Sequence, residues 1–250
     1  MEYVKRYYLL VILFVAWEAV PRLLQINPIL LPPFSMVVIK WFHLLFSGEL
    51  LIHTANTLFR AVGGFLIAAW LGILLGILAG RSRQIGQVLE PVVSVTFPLP
   101  KVAFIPVFIF ALGFGHLSKI LIVALECGFP IFIATYFAVR GTSRTMVWSA
   151  QIMGTKERDF LRKVIFPSAL PMIFTGLEIS IHVSVIIVVV AEMIGATTGL
   201  GALLIKAKWE YETDMLLAVI ATTSFVGLGL SLCLKAVKNR LLVWSPEVSM

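Results

Sequence analysis

The chain has 250 residues, of which 60% are hydrophobic and 13% are charged, and its mean hydropathy is +1.00. A soluble globular fold of this composition would expose more apolar surface than such folds do, so we predict an all-α membrane protein that crosses the bilayer several times. The 20 Lys and Arg residues against 13 Asp and Glu residues give a net charge of +7, but no soluble domain carries them as a basic face, which excludes nucleic acid as a partner.

Six apolar segments are about long enough to cross the hydrocarbon core, for which a helix needs ~20 residues. They lie near residues 7–24, 61–80, 89–113, 120–139, 172–193 and 215–234. We therefore predict about six transmembrane helices that form a single membrane domain, residues 1–250. Between the first two segments, residues 33–54 are expected to lie along the external interface of the membrane or to enter it as a short helix.

The second apolar segment carries a ladder of small residues on one helix face. Its members are four residues apart and are Gly64, Ala68, Gly72, Gly76 and Gly80. Small residues at this spacing let another helix backbone approach closely. We interpret the ladder as packing within this chain, and contact with another subunit is the alternative.

Prolines interrupt the third apolar segment at Pro91, Pro98, Pro100 and Pro106. A helix broken so often inside a membrane needs neighbouring groups to satisfy its backbone, so this segment is expected to face protein or a transport pathway. Lys101 lies among these breaks. It is the cation best placed to face a cavity, and an anionic solute would match it. The alternative is that Lys101 extends to lipid headgroups.

Among the other ionisable residues within apolar segments, we single out Glu126, Glu178, His182 and Glu192. Such residues are costly in a membrane and usually face a bundle interior or an aqueous cavity. Together with Lys101 they are our candidates for a transport pathway. Glu178 and His182 are four residues apart and could pair on one helix face. A purely structural hydrogen-bonded role is the alternative for each of them.

A polar stretch separates the fourth and fifth apolar segments. Six of the eight residues in 156–163, KERDFLRK, are charged, which places the stretch outside the bilayer. The sequence predicts two short helices around a turn at Gly154, where glycine allows a positive φ. Pro167 and Pro171 are expected to end one helix and begin the next. The whole loop covers about residues 141–171.

The basic residues predict the orientation of the chain. If the amino terminus is cytoplasmic, 13 of the 20 Lys and Arg residues fall in cytoplasmic segments, as the positive-inside rule requires. Both termini and the charged loop are therefore expected in the cytoplasm. The basic residues counted are Lys5, Arg6, Arg81, Arg83, Arg140, Arg144, Lys156, Arg158, Arg162, Lys163, Lys235, Lys238 and Arg240.

No motif in the chain indicates catalysis. There is no phosphate-binding Gly-x-x-x-x-Gly-Lys loop, no His-Glu-x-x-His zinc motif and no Gly-x-Ser-x-Gly nucleophile motif, and the histidines have no metal-ligand spacing. Cys127 and Cys233 lie in separate apolar segments and indicate neither a disulfide nor a metal site. We expect no enzyme activity, cofactor or metal in this chain, so any ATP that drives it must be hydrolysed by another chain.

The charged loop resembles the signature of a transport family. That signature is Glu-Ala-Ala, three residues and Gly, followed about a dozen positions later by a hydrophobic residue and Pro. In register with it stand Ala150, Gly154, Ile165 and Pro167. Trp148 replaces its Glu and Ser149 its first Ala. On these motifs, and on residues 57–65 and 191–201, the chain resembles the integral-membrane permease subunits of bacterial binding-protein-dependent ABC importers, in particular the nitrate/sulfonate/taurine/bicarbonate branch.

The resemblance implies a type I ABC importer permease fold, in which two permease subunits, expected here as a homodimer, form the solute pathway. It also implies cytoplasmic ATPase subunits that bind ATP and Mg²⁺, an external solute-binding protein, and the bacterial cytoplasmic (inner) membrane as the location. The residues it assigns to ATPase coupling are Ala150, Gly154, Thr155, Ile165 and Pro167. The solute would be a small anion such as nitrate, a sulfonate such as taurine, or bicarbonate.

Other functions remain open at this point. The chain could be a channel or ion-coupled carrier that acts alone, which the intramembrane carboxylates favour, or a purely structural membrane protein. Among ABC importers it could instead carry a vitamin precursor. The charged loop favours an importer, because a carrier that acts alone needs no docking surface there.

Overall fold

A computed structural model describes residues 2–244, except for the side chains of residues 2–7, 10, 144, 157 and 158. Within that range the chain is helical and has no strand, which confirms the all-α prediction. The α-helices are α1 (Glu2–Leu23), α2 (Phe34–Phe46), α3 (Glu49–Arg81), α4 (Arg83–Thr96), α5 (Ile105–Leu112), α6 (His116–Arg140), α7 (Arg144–Ile152), α8 (Glu157–Phe160), α9 (Phe166–Gly195), α10 (Leu200–Trp209) and α11 (Thr213–Leu241). A 3-10 turn, Lys101–Phe104, precedes α5, and a π-helical turn, Leu161–Ile165, precedes α9. The side chains of Lys5, Arg6, Arg144 and Arg158, which the predicted orientation uses, lie outside the described ones.

Among the described residues, four helical segments are long and apolar enough to cross a membrane. They are α3, α6, the continuous helix Leu161–Gly195, and α11. A fifth candidate is one span made of α4 and Lys101–Leu112 with a bend of 87° between them, so the break that the prolines predict is present. The predicted count of six is not confirmed, because α1 carries charged residues towards both of its ends and has too short an uncharged stretch.

The ladder of small residues packs α3 against α6. A Cβ added to any of its glycines would come within 3.0 Å of a side-chain atom of α6, closer than nearly all real Cβ contacts. The pairs are Gly64 with Val123, Gly72 with Ile131, Gly76 with Thr135 and Gly80 with Val139. Each partner follows its glycine by 59 residues, so the two helices run parallel. The prediction that the ladder packs within the chain is confirmed.

Two parallel helices require the chain to return between them, and α4, the 3-10 turn and α5 make that return. α9 runs antiparallel to α6. The hydroxyl of Ser180 donates to the carbonyl of Cys127 at 2.9 Å, and Gly176 lies against Ala134. The main hydrophobic core therefore lies where α3, α6 and α9 meet.

The bundle has two distinct ends. The α7 end carries α7, α8, the π turn and the carboxyl termini of α3, α6 and α11. The α10 end carries α10 together with the amino termini of α3 and α6 and the carboxyl terminus of α9. These two ends hold most of the polar groups that the next section describes.

Pro167 and Pro171 do not separate two helices, so that prediction is wrong. α9 begins at Phe166 and contains both prolines. Pro167 lies in the first turn of α9, directly after the π turn. The π turn carries the chain into α9, because the N–H of Phe166 donates to the carbonyl of Leu161 five residues earlier.

Residues 33–54 form a short helix over only part of their length. α2 ends at Phe46, and a turn with φ +80° at Gly48 leads directly into α3. Residues from Glu49 onward therefore belong to the long helix α3. The prediction was correct for the short helix and placed its end too late, because Gly48 was not recognised as a helix boundary.

Candidate functional site

The turn at Gly154 closes α7. The N–H of Thr155 donates to the carbonyl of Ala150 at 3.0 Å, and the N–H of Gly154 donates to that of Gln151 at 2.9 Å. With φ +78° at Gly154, these bonds form the Schellman motif that ends many helices. The positive φ predicted from the sequence is confirmed. A residue with a side chain would cost about 1–2 kcal/mol in this conformation.

Three apolar side chains, which we call the α7 knob, are exposed beside this turn. Ile152 is 89% exposed, Met153 is 84% exposed and Trp148 is 59% exposed. Next to the knob, a cleft of about 410 Å³ lies between α7, the π turn and the first turns of α9. Contiguous exposed apolar groups of this kind mark surfaces that bind protein.

The five residues assigned to ATPase coupling occupy three neighbouring places. Ala150 and Pro167 line the cleft, and Gly154 and Thr155 form the turn. Ile165 packs against the main hydrophobic core. The loop is therefore connected to the interior of the bundle through Ile165, at the junction of the π turn and α9.

Lys101 is only 5% exposed and lies at the break between α4 and α5. Its ammonium group donates to the carbonyl of Phe97 at 3.0 Å and lies 4.7 Å from the centroid of the Phe129 ring. The carbonyl of Phe97 belongs to backbone that has lost its helical partners at the proline breaks, so the lysine satisfies it. Lys101 therefore points into the protein and does not extend to lipid headgroups.

Glu126 on α6 is the counter-ion of Lys101. Its Oε2 atom lies 3.5 Å from Nζ of Lys101, and this buried atom accepts no hydrogen bond within the described structure. Two of the five candidate pathway residues are thus brought together between α6 and the broken span. The contact between Lys101 and Glu126 is therefore an ion pair at 3.5 Å without a hydrogen bond to Oε2.

Glu178 and His182 do not pair through their side chains, contrary to the prediction. The carboxylate of Glu178 lies 3.0 Å from Nζ of Lys238 on α11, and Nδ1 of His182 lies 2.7 Å from the backbone carbonyl of Glu178. The two residues do share a helix face. However, Lys238 on α11 reaches the Glu178 carboxylate and forms the ion pair in place of His182.

Glu192 lies in a buried network at the α10 end, which we call the Arg60 network. Nη1 of Arg60 donates to Oε1 of Glu192 at 2.7 Å, and both side chains are at most 3% exposed. Thr57 donates to Oε2 at 2.8 Å, and the N–H of Gly201 donates to the same atom at 3.0 Å. Burying two charges is costly unless their hydrogen bonds are complete, and here the carboxylate receives a donor on each oxygen.

The remaining groups of Arg60 complete the network and fix the loop before α10. Nη2 donates to the hydroxyl of Thr198 at 2.9 Å, Nη1 also donates to the Thr198 carbonyl at 2.6 Å, and Nε donates to Nδ1 of His116 at 3.1 Å. Close by, Lys119 donates to the carbonyls of Phe114 and Gly195. The ends of α3, α6, α9 and α10 are therefore tied together by buried bonds.

The turn that follows α10 has the same Schellman pattern as the turn that follows α7. The N–H of Glu212 donates to the carbonyl of Ala207 at 3.0 Å, and the N–H of Tyr211 donates to that of Lys208 at 3.3 Å. The residue with positive φ is here Tyr211, at +57°. Trp209 and Tyr211 are each 72% exposed, and we call these two residues the aromatic turn.

Two ion pairs flank the aromatic turn. Nζ of Lys206 lies 2.9 Å from Oε1 of Glu49, and the hydrogen bond that Lys206 donates to this carboxylate raises the pKa of Lys206. Nζ of Lys40 on α2 lies 2.6 Å from Oε2 of Glu212. Among the residues whose side chains are described, no group of three or more His, Cys, Asp or Glu could hold a metal ion.

The chain is similar to known transport proteins over most of its length. Residues 72–242 match the family described as binding-protein-dependent transport system inner membrane component. The chain is 33% identical over 244 residues to the taurine transport system permease protein of Escherichia coli, and this match covers 96% of this chain and 89% of that protein. It is 32% identical over 228 residues to a Bacillus subtilis protein named for aliphatic sulfonates transport, covering 91% and 83%. It is 32% identical over 235 residues to the riboflavin transport system permease protein of Chloroflexus aurantiacus, covering 94% and 88%.

Among solved structures, the chain is similar to the MetNI methionine ABC transporter in an inward-facing crystal form. The TM-score is 0.61 at 16% identity, and the match covers 80% of this chain and 97% of that chain. At this level of identity the likeness concerns the fold alone.

Proposed function

This chain belongs to the family of binding-protein-dependent transport system inner membrane components, and on that premise we propose that the α7 knob and its cleft form the docking surface for a partner ATPase. The chain is the permease component of an ABC importer, so the predicted family, function and fold are confirmed. Membership implies an ATPase and a solute-binding protein as partners. Its relatives are transport subunits, which implies that the chain is not itself an enzyme.

The observation that supports this docking surface is the exposed α7 knob beside a turn that only glycine adopts without strain. ATP and Mg²⁺ would bind to the partner, and closure of the ATPases would move α7 as a rigid body. Ile165 and the continuous helix from the π turn into α9 would transmit that movement to the core. Nucleotide would bind one of two conformational states of the transporter more tightly than the other, and its binding would therefore shift the equilibrium towards that state.

The α7 end would face the cytoplasm of a bacterium, and the α10 end would face outward across the inner membrane. The carboxyl termini of α3, α6 and α11 lie at the α7 end and carry Arg81, Arg140 and Arg240. An excess of basic residues on one side favours the cytoplasmic location. Both chain termini would be cytoplasmic, and a second copy of this chain would complete the pathway.

The solute that we propose is a small sulfonate such as taurine. Two relatives are named for taurine and aliphatic sulfonates, whereas a third of similar identity is named for riboflavin, so a vitamin-like solute is the second candidate. The buried pair of Lys101 and Glu126 supports the first choice. A cation such as Lys101 suits a sulfonate, and the carboxylate of Glu126 beside it suits the ammonium group of an aminosulfonate.

Cross-linking tests the docking surface. Ile152→Cys is expected to form a disulfide with a cysteine placed in the surface groove of the co-expressed ATPase, and the exposed residue Glu210 at the α10 end supplies the control variant Glu210→Cys. A thiol reagent that cannot cross the membrane should label only Glu210→Cys in intact cells. Labelling of Ile152→Cys from outside, or equal cross-linking of both variants, would show that the proposed orientation is wrong.

Uptake into cells tests the solute. Cells with the complete transporter are expected to accumulate labelled taurine or ethanesulfonate and not riboflavin. Lys101→Met should weaken uptake by about 5- to 150-fold, which corresponds to ~1–3 kcal/mol of charge-assisted interaction, while Lys101→Arg should retain most of it. Uptake that persists without any ATPase subunit would support a carrier that acts alone.

A further inference from the structure

We propose that the aromatic turn, Trp209 and Tyr211, is the contact through which the external binding protein docks on this permease. The proposal rests on the orientation under Proposed function, which places α10 outside the membrane. It assigns a specific surface to a partner that the family implies only in general terms.

The first argument is the conformation of Tyr211. Its φ of +57° belongs to the left-handed region, which is unfavourable for a bulky residue and which glycine adopts freely. The Schellman bonds of this turn involve only backbone atoms, so glycine would serve the fold better. The ring itself is 72% exposed and adds little packing. A strained residue that the fold does not need points to a function outside the chain.

The second argument is the composition of the surface. Tyr211 stands beside Trp209, and the ammonium group of Lys208 lies 5.7 Å from the centroid of the Trp209 ring. Trp and Tyr are the residues most enriched at the energetic centres of protein interfaces, because they bury a large area with few rotatable bonds. Lys206 and Glu212, in contrast, are already paired within the chain. The exposed charges left around the rings are those of Lys208 and Glu210.

The third argument is how firmly this surface is attached. Leu200, Leu203 and Ala207 on the opposite face of α10 are at most 1% exposed, and the Arg60 network ties the start of α10 to α3 and α9. A movement of the aromatic turn would therefore be transmitted to α3 and α9 through a rigid connection. Docking surfaces that must signal across a membrane need such a rigid attachment.

Trp and Tyr are also common where membrane helices meet lipid headgroups, and the experiment must separate that role from docking. The permease with its ATPase is reconstituted in lipid nanodiscs, and the affinity for the purified solute-binding protein of the same transporter is measured by fluorescence. Trp209→Ala and Tyr211→Ala are each expected to weaken binding by tenfold or more. The matched control is Trp70→Ala, because Trp70 is 67% exposed on α3 away from the α10 end, and it should change binding by less than twofold.

Tyr211→Gly separates a loss of docking from a loss of folding, because it removes the ring and also relieves the strain at this backbone position. It should weaken binding as much as Tyr211→Ala while the thermal stability of the complex stays equal or rises. Binding within twofold of wild type in Trp209→Ala and Tyr211→Ala would overturn the proposal, and a loss of thermal stability alone would assign the rings to the lipid interface. If the wild-type complex binds no binding protein and its ATPase is not stimulated by it, the proposed function fails before the variants are considered.

Discussion

The turns after α7 and after α10 have the same backbone hydrogen bonds and opposite surroundings. At the α7 end the residue with positive φ is Gly154, and no atom would lie within 4 Å of a Cβ placed there. At the α10 end it is Tyr211, next to a helix fixed by the Arg60 network and by ion pairs to Glu49 and Lys40. The same motif thus closes a loosely surrounded helix at one end and a firmly held one at the other.

The difference between the two turns shows where a protein can tolerate backbone strain. A strained residue persists only if the surrounding structure determines its conformation more strongly than local preference does. The α10 end meets that condition through buried charges, whereas the turn at the α7 end depends on its own two hydrogen bonds. We therefore expect substitutions in the buried supports to affect stability, and substitutions in the α7 turn to affect coupling.

The largest expected effect comes from removing the support itself. Arg60→Met leaves Glu192 buried and without its counter-ion, so the free energy of unfolding should fall by about 3–5 kcal/mol. Lys206→Met is the control, because its ion pair with Glu49 is half exposed and should contribute less than about 1 kcal/mol. Unfolding of the purified permease in mixed detergent micelles measures both. Equal losses in the two variants would contradict the view that burial makes the α10 end rigid.

A second prediction concerns Gly154. Gly154→Pro removes the N–H that bonds to Gln151 and forbids the positive φ, so ATP-driven transport should fall to less than a tenth while membrane insertion is intact. Gly154→Ala keeps the N–H and should lose about 1–2 kcal/mol at the turn, with a smaller loss of transport. Transport and ATP hydrolysis are measured together in proteoliposomes. Tightly coupled transport by the proline variant would show that this turn does not position the docking surface.

The smallest effect has the opposite sign. Tyr211→Gly should raise the free energy of unfolding by about 1 kcal/mol, because glycine adopts the left-handed conformation without a steric cost. Part of this gain is offset because glycine loses more conformational entropy on folding than tyrosine does. The same denaturation experiment measures it. A loss of stability would mean that the ring of Tyr211 contributes to folding, and the contrast between the two turns would then not rest on strain.

Features that depend on neighbouring residues were predictable from the sequence. The ladder that begins at Gly64 needs only a spacing of four, the break near Pro98 needs only the missing N–H, and the turn at Gly154 needs only a glycine between two short helices. In each case the physical cause lies within one or two helical turns. The assignments of roles to the coupling loop and to Lys101 stay predictions.

Pairings between distant segments were not predictable in the same way. Arg60 meets Glu192 across 132 residues, and Glu178 meets Lys238 across 60 residues, so local spacing could not reveal either pair. One signal for Arg60 was available: a charge at the start of an apolar segment needs a partner. The helix boundary predicted from the prolines of α9 was wrong for a related reason, because the helix accommodates these prolines only with the π turn before them.

The ladder also has a consequence for how this protein assembles during synthesis. Its partners on α6, from Val123 to Val139, recur every four residues just as the small residues of α3 do. Two surfaces with a common repeat can also pack after one helix slips by four residues, about 6 Å. The shape of the ladder therefore determines that α3 packs on α6 but does not determine the register between them. Arg60 removes the ambiguity, because a slipped α3 would carry its guanidinium group away from both His116 and Glu192. His116 lies on α6, so its hydrogen bond to Arg60 can select the register as soon as α6 is made. The ion pair with Glu192 strengthens that selection when α9, the last of the three helices to be synthesised, is in place.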